Sequence, residues 1–302
     1  MTLLDRAVVT LLPAVPKRVV RALSSRYIAG SELEDARRVV GELNADGKLA
    51  TVDVLGEEVS GESEAAAIAA EYVAALDAFE RDHLDANVSI KPTGLGLKLG
   101  YDLCKRNVKT VIAAAEPTNR FVRIDMEDSS TTDATLRLVR ELRDDGHERV
   151  GPVLQASLKR TVADAASLAG ASVRLCKGIY IEPESIQYRD DRDVRTSFVQ
   201  TLETLLDGDC YAAIATHDEW LVEQSLGLLR ERSVPRDRYE FQMLLGVRPE
   251  LGDRLVGDGH RLRIYVPFGR QWYEYSLRRL QENPKIAGYV AGDLGRSLFR
   301  RR

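Results

Sequence analysis

The chain of 302 residues predicts an α/β fold, a (β/α)8 barrel of the triosephosphate-isomerase type with an N-terminal helical arm. Three observations predict it. Apolar, β-branched runs alternate with amphipathic helical stretches, which argues for a parallel sheet with right-handed crossovers. Eight such units occupy roughly 230 residues, the size of a closed barrel. Finally, the first strand runs into Gly56-Glu57-Glu58, not the glycine-rich phosphate loop with which a doubly wound sheet usually opens.

Taken in order, the strands are expected at Thr51–Leu55, Asn87–Lys91, Phe121–Met126, Val150–Ala156, Ser172–Lys177, Tyr211–Thr216, Tyr239–Leu244 and Arg261–Pro267. The helices between them are expected at Glu64–His83, Tyr101–Ala115, Thr132–Asp144, Thr161–Leu168, Val194–Leu206, Glu219–Arg230 and Pro249–Asp258, with a last helix from Gln271 to Glu282. Residues 1–50 are helix-rich and fall outside the repeat. They read as an appended arm broken at Gly30, Gly41 and Gly47, leaving 51–302 as the barrel domain.

Composition narrows the function. Hydrophobic residues at 44% and charged residues at 30% describe a globular protein able to bury a core without metal or disulfide support. The net charge of -4 lacks the basic excess of a nucleic-acid binder. Cys104, Cys176 and Cys210 are odd in number and spaced unlike a metal site, so they read as buried, reduced thiols. His83, His147, His217 and His260 form no ligand pair. No apolar run reaches the roughly 18 to 20 residues of a membrane span, and no cleavage signal follows the apolar start. The location expected is the cytoplasm, with a peripheral contact at the inner face of the membrane held open. Residues 1–30 would make that contact through Val8, Val9, Leu11 and Leu12, with Lys17, Arg18 and Arg21 nearby. The competing reading, a helix packed on the barrel, is preferred.

A barrel enzyme carries its chemistry at the carboxyl ends of its strands. Those ends offer Lys91, Asp125, Gln155, Lys177, His217, Gln242 and Tyr265, with Arg174 inside the fifth strand. Tyr275, Arg278, Arg279 and Glu282 share one face of the last helix, while Tyr273, Leu277 and Leu280 can pack inward from the opposite one. A solvated polar face is the plainer account of that helix. Adjacent arginines beside a tyrosine instead offer planar forks for a carboxylate, to which Lys91 would add a third charge. Lys177 admits a Schiff base with a carbonyl substrate, hence an aldolase-type lyase. Asp125, Glu127 and Asp128 admit a divalent metal, although no second acidic strand end or histidine pair completes a ligand set. The glycines of 94–100 lack dinucleotide-loop spacing and read as a flexible turn.

Several runs, in order, resemble the proline dehydrogenase family. They are Val88-Ser89-Ile90-Lys91-Pro92-Thr93, Arg123-Ile124-Asp125-Met126-Glu127, Val153-Leu154-Gln155-Ala156 and Arg174-Leu175-Cys176-Lys177-Gly178-Ile179-Tyr180. Ala215-Thr216-His217 and Tyr239-Glu240-Phe241-Gln242-Met243-Leu244 continue the series. It ends with Tyr265-Val266-Pro267-Phe268-Gly269 and Tyr275-Ser276-Leu277-Arg278-Arg279-Leu280-Gln281-Glu282-Asn283-Pro284. The length is similar to that of the short monofunctional bacterial form.

The resemblance implies an FAD enzyme that oxidises L-proline to Δ1-pyrroline-5-carboxylate and passes electrons to a quinone; whether a separate pyrroline-5-carboxylate dehydrogenase receives the product is left open. It implies that Lys91, Arg278 and Arg279 bind the substrate carboxylate, that Tyr265 and Tyr275 wall the ring, and that Asp125 orients them. Arg174 would lie at the flavin N5 edge. Met126, Gln155, Lys177, Gly178, Ile179, Thr216 and His217 would contact FAD, and Glu282 would support the arginines or the cofactor. Two positions depart from the family pattern: Ile179, where alanine is common, and Asp218, where asparagine is common. The first leaves a preference for hydroxyproline or a larger analogue open.

Overall fold

The computed structural model describes residues 26–273 together with Tyr275 and Ser276. Eight parallel strands close into a barrel in sequence order. The elements are α1 (Leu33–Ala45), β1 (Leu49–Val54), α2 (Glu62–Arg81), β2 (Ala86–Ile90), α3 (Tyr101–Ala115), β3 (Val122–Ile124), α4 (Ser129–Asp144), β4 (Val150–Gln155), α5 (Thr161–Ala166), β5 (Ser172–Cys176), α6 (Asp191–Asp207), β6 (Tyr211–Ala215), α7 (Glu219–Glu231), β7 (Tyr239–Leu244), α8 (Pro249–Gly257) and β8 (Leu262–Phe268). Closure joins β1 to β8, with Val52 opposite Val266 and Val54 opposite Phe268.

The alternation of each strand separates two environments. Val52, Val54, Val88, Ile90, Phe241 and Val266 are buried in the apolar layer between sheet and helices. Many of the intervening positions, which face the barrel interior, are polar: Thr51, Asp53, Ser89, Arg123, Arg174, Glu240, Gln242 and Arg263 are all buried. Branched aliphatic residues usually fill a barrel interior, so this polar filling marks the chain. Gly151 shows how tightly it is fitted: a Cβ there would stand 1.9 Å from the Ser172 carbonyl and 2.9 Å from the Arg123 guanidinium.

The eight-unit alternation is borne out, with element ends moved by a few residues. α4 begins at Ser129, three residues before the expected Thr132, because Asp128 caps it by accepting from Ser130 N at 2.9 Å. Asp190 does the same for α6, which starts at Asp191 and not Val194. Gly41, expected as a break, lies inside α1, while Gly47 occupies the turn beyond it. β1 starts at Leu49, before the expected boundary. α1 buries Ala36, Val39 and Val40 and packs across β1 and β8, where a barrel's outer ring would carry the helix following β8.

That arrangement frees the segment after β8 for the mouth. Trp272, Tyr273, Tyr275 and Ser276 are helical, and Tyr275 is buried against Ile28 and Leu55. Tyr273, expected on the inward face, is only half-buried, whereas Tyr275 is buried. Arg278, Arg279 and Glu282 lie outside the described residues, as does the apolar stretch of residues 8–12, for which packing on the barrel and a membrane contact are the two readings. Among the described residues no helix is long and apolar enough to cross one. The glycine turn at 94–100 is a packed turn: Leu95 is wholly buried, and a Cβ on Gly94 would stand 2.2 Å from the Gly56 carbonyl.

Candidate functional site

A cavity of about 430 Å³ opens at the carboxyl ends of the strands. Lys91, Asp125, Met126, Gln155, Arg174, Lys177, Gly178, Ile179, Thr216, His217, Tyr265 and Tyr275 all line it. The structure therefore gathers every described site residue expected from sequence into one place. Glu57, Glu127 and Gln242 join them.

Its floor is one connected hydrogen-bond chain. Lys91 Nζ, at the end of β2, donates to Asp53 at 2.5 Å and to the Tyr265 hydroxyl at 3.0 Å. Tyr265 in turn donates to Asp125 Oδ2 at 2.9 Å. The other oxygen of Asp125 accepts from Ser89 at 2.6 Å and from Arg174 Nη1 at 2.8 Å. Arg174 Nε donates to Gln242 at 2.5 Å, and the Gln242 amide donates to Glu240 at 2.5 Å. Two cations, Lys91 and Arg174, stand 5.6 and 5.3 Å from the centre of the Tyr265 ring.

Burial acts first on Lys91 and pulls its ammonium down, but Asp53, Asp125 and Glu57 outweigh it and hold the pKa above its ordinary value. Burial and then Asp125 and Asp53 push the Tyr265 phenol well up. Lys91 thus stays a cation and Tyr265 a neutral donor across the physiological range. Arg174 keeps one nitrogen, Nη2, buried without a hydrogen-bond partner among the described residues. A guanidinium N–H buried without a partner is costly, and its presence beside a cavity points to a ligand acceptor.

The opposite wall is built by β4 to β6. Gly178 sits at φ +96°, and a Cβ there would stand 2.4 Å from Ser157 Oγ, so only glycine lets the chain pass. His217 accepts from Leu244 N at 2.8 Å through Nε2, which leaves the proton on Nδ1. Burial, aided by the Arg248 cation, pushes its pKa down to about 4. Lys177 pairs with Asp191 at 2.8 Å and with Asp218 at 2.7 Å. Asp218 also pairs with Arg195 and caps α7 at Trp220 N, so the carboxylate at this unusual position ties three elements together. Ile179 borders the cavity with its side chain partly exposed. Cys176 also lines it and is only half-buried, unlike Cys104 and Cys210, which are buried as expected.

The three acidic residues at the end of β3 have separate partners. Asp128 pairs with Lys98 and caps α4. Glu127 accepts from Thr93 N at 2.8 Å and Thr93 Oγ1 at 2.5 Å, and burial raises it to about 7 against those two bonds.

Asp53 was not legible as a site residue, because β1 was read only to its end at Leu55. The available signal was a lone carboxylate within Thr51-Val52-Asp53-Val54, since a strand of a closed parallel sheet is buried on both faces.

A parallel barrel with a charged, partly unsatisfied mouth defines a barrel enzyme with its active site at the carboxyl rim. The family model for proline dehydrogenase matches residues 36–291, and the chain belongs to that family. It is 35% identical over 267 residues to Proline dehydrogenase 1 of Bacillus subtilis subsp. natto, covering 88% of each chain. To Proline dehydrogenase of Deinococcus radiodurans it is 34% identical over 274 residues, covering 89% of this chain and 88% of that one. This relationship makes the protein an oxidoreductase. Among solved structures, proline utilization A from Bdellovibrio bacteriovorus, inactivated by N-propargylglycine, superposes with a TM-score of 0.82 at 23% identity over 90% of this chain. The corresponding protein from Corynebacterium freiburgense gives 0.76 at 21% identity over 95% of it. This chain spans 36% and 34% of those longer chains, and the likeness is one of fold.

Proposed function

We propose that the protein oxidises L-proline to Δ1-pyrroline-5-carboxylate with FAD as its cofactor and a quinone as the final acceptor. The observation that carries this reading is the chain from Lys91 through Tyr265 and Asp125 to Arg174, ending in a buried nitrogen with no partner among the described residues.

The residues present fit a flavin. Arg174 Nη2 supplies a donor that no described residue answers, Gly178 turns the chain along the cavity where a Cβ would meet Ser157 and Gln155, and Met126, Val153 and Leu244 give the cavity apolar surface. In this reading Met126, Gln155, Arg174, Lys177, Gly178, Ile179, Thr216, His217 and Glu282 hold the cofactor. Bound there, FAD supplies a hydride acceptor at N5.

The chain's own residues do the rest. Lys91, Arg278 and Arg279 clamp the substrate carboxylate, and Tyr265 and Tyr275 close around the ring. This fixes the C5 hydrogen in one direction, and orientation of this kind removes much of the entropic barrier. The substrate nitrogen reacts as the neutral amine, because its lone pair stabilises the cation that develops at C5. Tyr265, whose proton points to Asp125, accepts from Lys91 and so offers no base to the substrate. The product would pass to a separate dehydrogenase, and a peripheral membrane contact would bring the quinone within reach.

The lyase alternative finds less support. A Schiff-base lysine needs a desolvated, neutral amine, whereas Lys177 is 30% exposed and lies between two carboxylates. Anaerobic titration of the purified protein with L-proline is the test. The expected outcome is a flavin band that bleaches. A band indifferent to proline but bleached by hydroxyproline would move the substrate assignment to hydroxyproline, the option Ile179 left open, and a protein that takes up no FAD would overturn the reading.

A further inference from the structure

We propose that Asp53 is a positioning residue of the substrate site: it holds the Lys91 ammonium so that one N–H engages Tyr265 and another serves the substrate carboxylate. The inference rests on the reading of Lys91 as a carboxylate-binding residue. It concerns a buried group that the functional reading leaves without a task.

Asp53 is wholly buried on β1, one strand away from Lys91. An ammonium has three N–H donors. One goes to Asp53 at 2.5 Å and one to the Tyr265 oxygen at 3.0 Å, which leaves one for the cavity that Lys91 lines. Every group facing Lys91 agrees with this partition. Glu57, from the loop after β1, and Asp125, from β3, stand at 3.9 and 3.8 Å, beyond hydrogen-bond reach. Tyr265, from β8, already directs its proton to Asp125. Tyr72, from α2, packs behind the pair and donates to the Ser89 carbonyl at 2.8 Å, with Asp53 Oδ1 3.2 Å from the same hydroxyl. Asp53 is therefore the one carboxylate in direct hydrogen bond with Lys91 among the described residues.

Removing that carboxylate has two consequences. The ammonium loses its near anchor and can move toward Asp125 and Glu57, which takes its bond away from Tyr265. It also loses the neighbour that most strongly opposes its desolvation, so it releases its proton at a lower pH. The first effect reaches Tyr265, a wall of the ring, only through one lost bond, while both act on the carboxylate end, so the larger damage should fall on substrate capture.

The test is a double-variant cycle on the FAD-loaded full chain: Asp53→Asn, Lys91→Met and both together. Asp53→Asn is expected to raise KM for L-proline about tenfold, the scale of one charge-assisted contact, with a smaller change in kcat. In the same variant kcat/KM should fall with rising pH earlier than in the parent protein. The double variant should match Lys91→Met alone, because Asp53 acts only through Lys91. Additive effects in the cycle, or an unchanged KM in Asp53→Asn while Lys91→Met raises it, would overturn the proposal. An unchanged KM in Lys91→Met would instead overturn the reading of Lys91 as a carboxylate-binding residue. Should Asp53→Asn fail to fold, Asp53→Glu keeps the charge while displacing it by one methylene. A KM equal to the parent's in that variant would count against the positioning role.

Discussion

The two ends of the barrel interior are filled with the same kinds of residue and put them to different uses. At the amino end Arg263 donates to Glu240 at 2.8 Å and to the Ala50 carbonyl at 2.7 Å. Arg123 nearby is answered by the Pro152 and Ser172 carbonyls at 3.0 and 2.6 Å and by Ser172 Oγ at 2.9 Å. Burial and the neighbouring Arg174 lower Arg123 to about 9, which still leaves it charged at neutral pH. At the mouth Arg174 and Lys91 are just as buried, yet Arg174 has a nitrogen without a partner among the described residues and both border a cavity. Charge and burial alone do not distinguish a site from a structural network. What separates the two ends is that the mouth pair borders a cavity and keeps a donor that no described residue uses.

Breaking the amino-end network should have the largest effect, and on stability. Arg263→Met leaves Glu240 buried opposite an apolar side chain, a change expected to cost about 3–5 kcal/mol. Chemical denaturation should show that loss. Replacing Glu240 together with Arg263 by methionine should recover part of it, since no uncompensated carboxylate remains. If Arg263→Met instead left stability intact and lowered only turnover, the division between the two ends would be wrong.

At the mouth the expected loss is in activity. Arg174→Met removes a guanidinium contact worth about 1.5–3 kcal/mol, or about ten- to over a hundredfold in kcat/KM. Arg174→Lys keeps the charge but loses the fork, so it should recover little. Steady-state kinetics and flavin content of both variants check this. Full recovery by lysine would show that only charge matters there.

Much of this architecture was legible because it is local. Tyr101–Ala115 and Tyr239–Leu244 coincide with their expected spans, since each carries its own periodicity and boundary residues. The seven polar strand ends all line the one cavity at the mouth. What escaped was long-range. Arg263 meets the Ala50 carbonyl across 213 positions of sequence, and Asp53 acquires meaning only beside Lys91. Glycine propensity predicts a break at Gly41, but propensity is a weak prior that packing overrides, here the burial of Val39 and Val40 on the barrel.

The smallest predicted effect is a pair of opposed pH trends at the mouth. His217 titrates near 4 in the fold against 6.5 when free, so its contribution to stability is present above 6.5 and is lost as pH falls toward 4. Glu127 titrates near 7 against 4.5, so its contribution is present below 4.5 and is lost as pH rises toward 7. Between about 4.5 and 6.5 the two offset one another. Melting temperatures of the parent should therefore vary little with pH on their account. Glu127→Gln should tilt the profile upward with pH, and His217→Gln should tilt it downward. Parallel profiles in all three proteins would contradict the assignment.

The central claim, that the mouth holds proline with C5 facing the flavin, is met most directly by rapid anaerobic mixing of the FAD-loaded protein with deuterated L-proline. Bleaching of the flavin should slow when deuterium replaces the hydrogens at C5 and should keep its rate when deuterium sits at C2. Slowing from the C2 label, with none from C5, would mean that the substrate lies in the cavity the other way round.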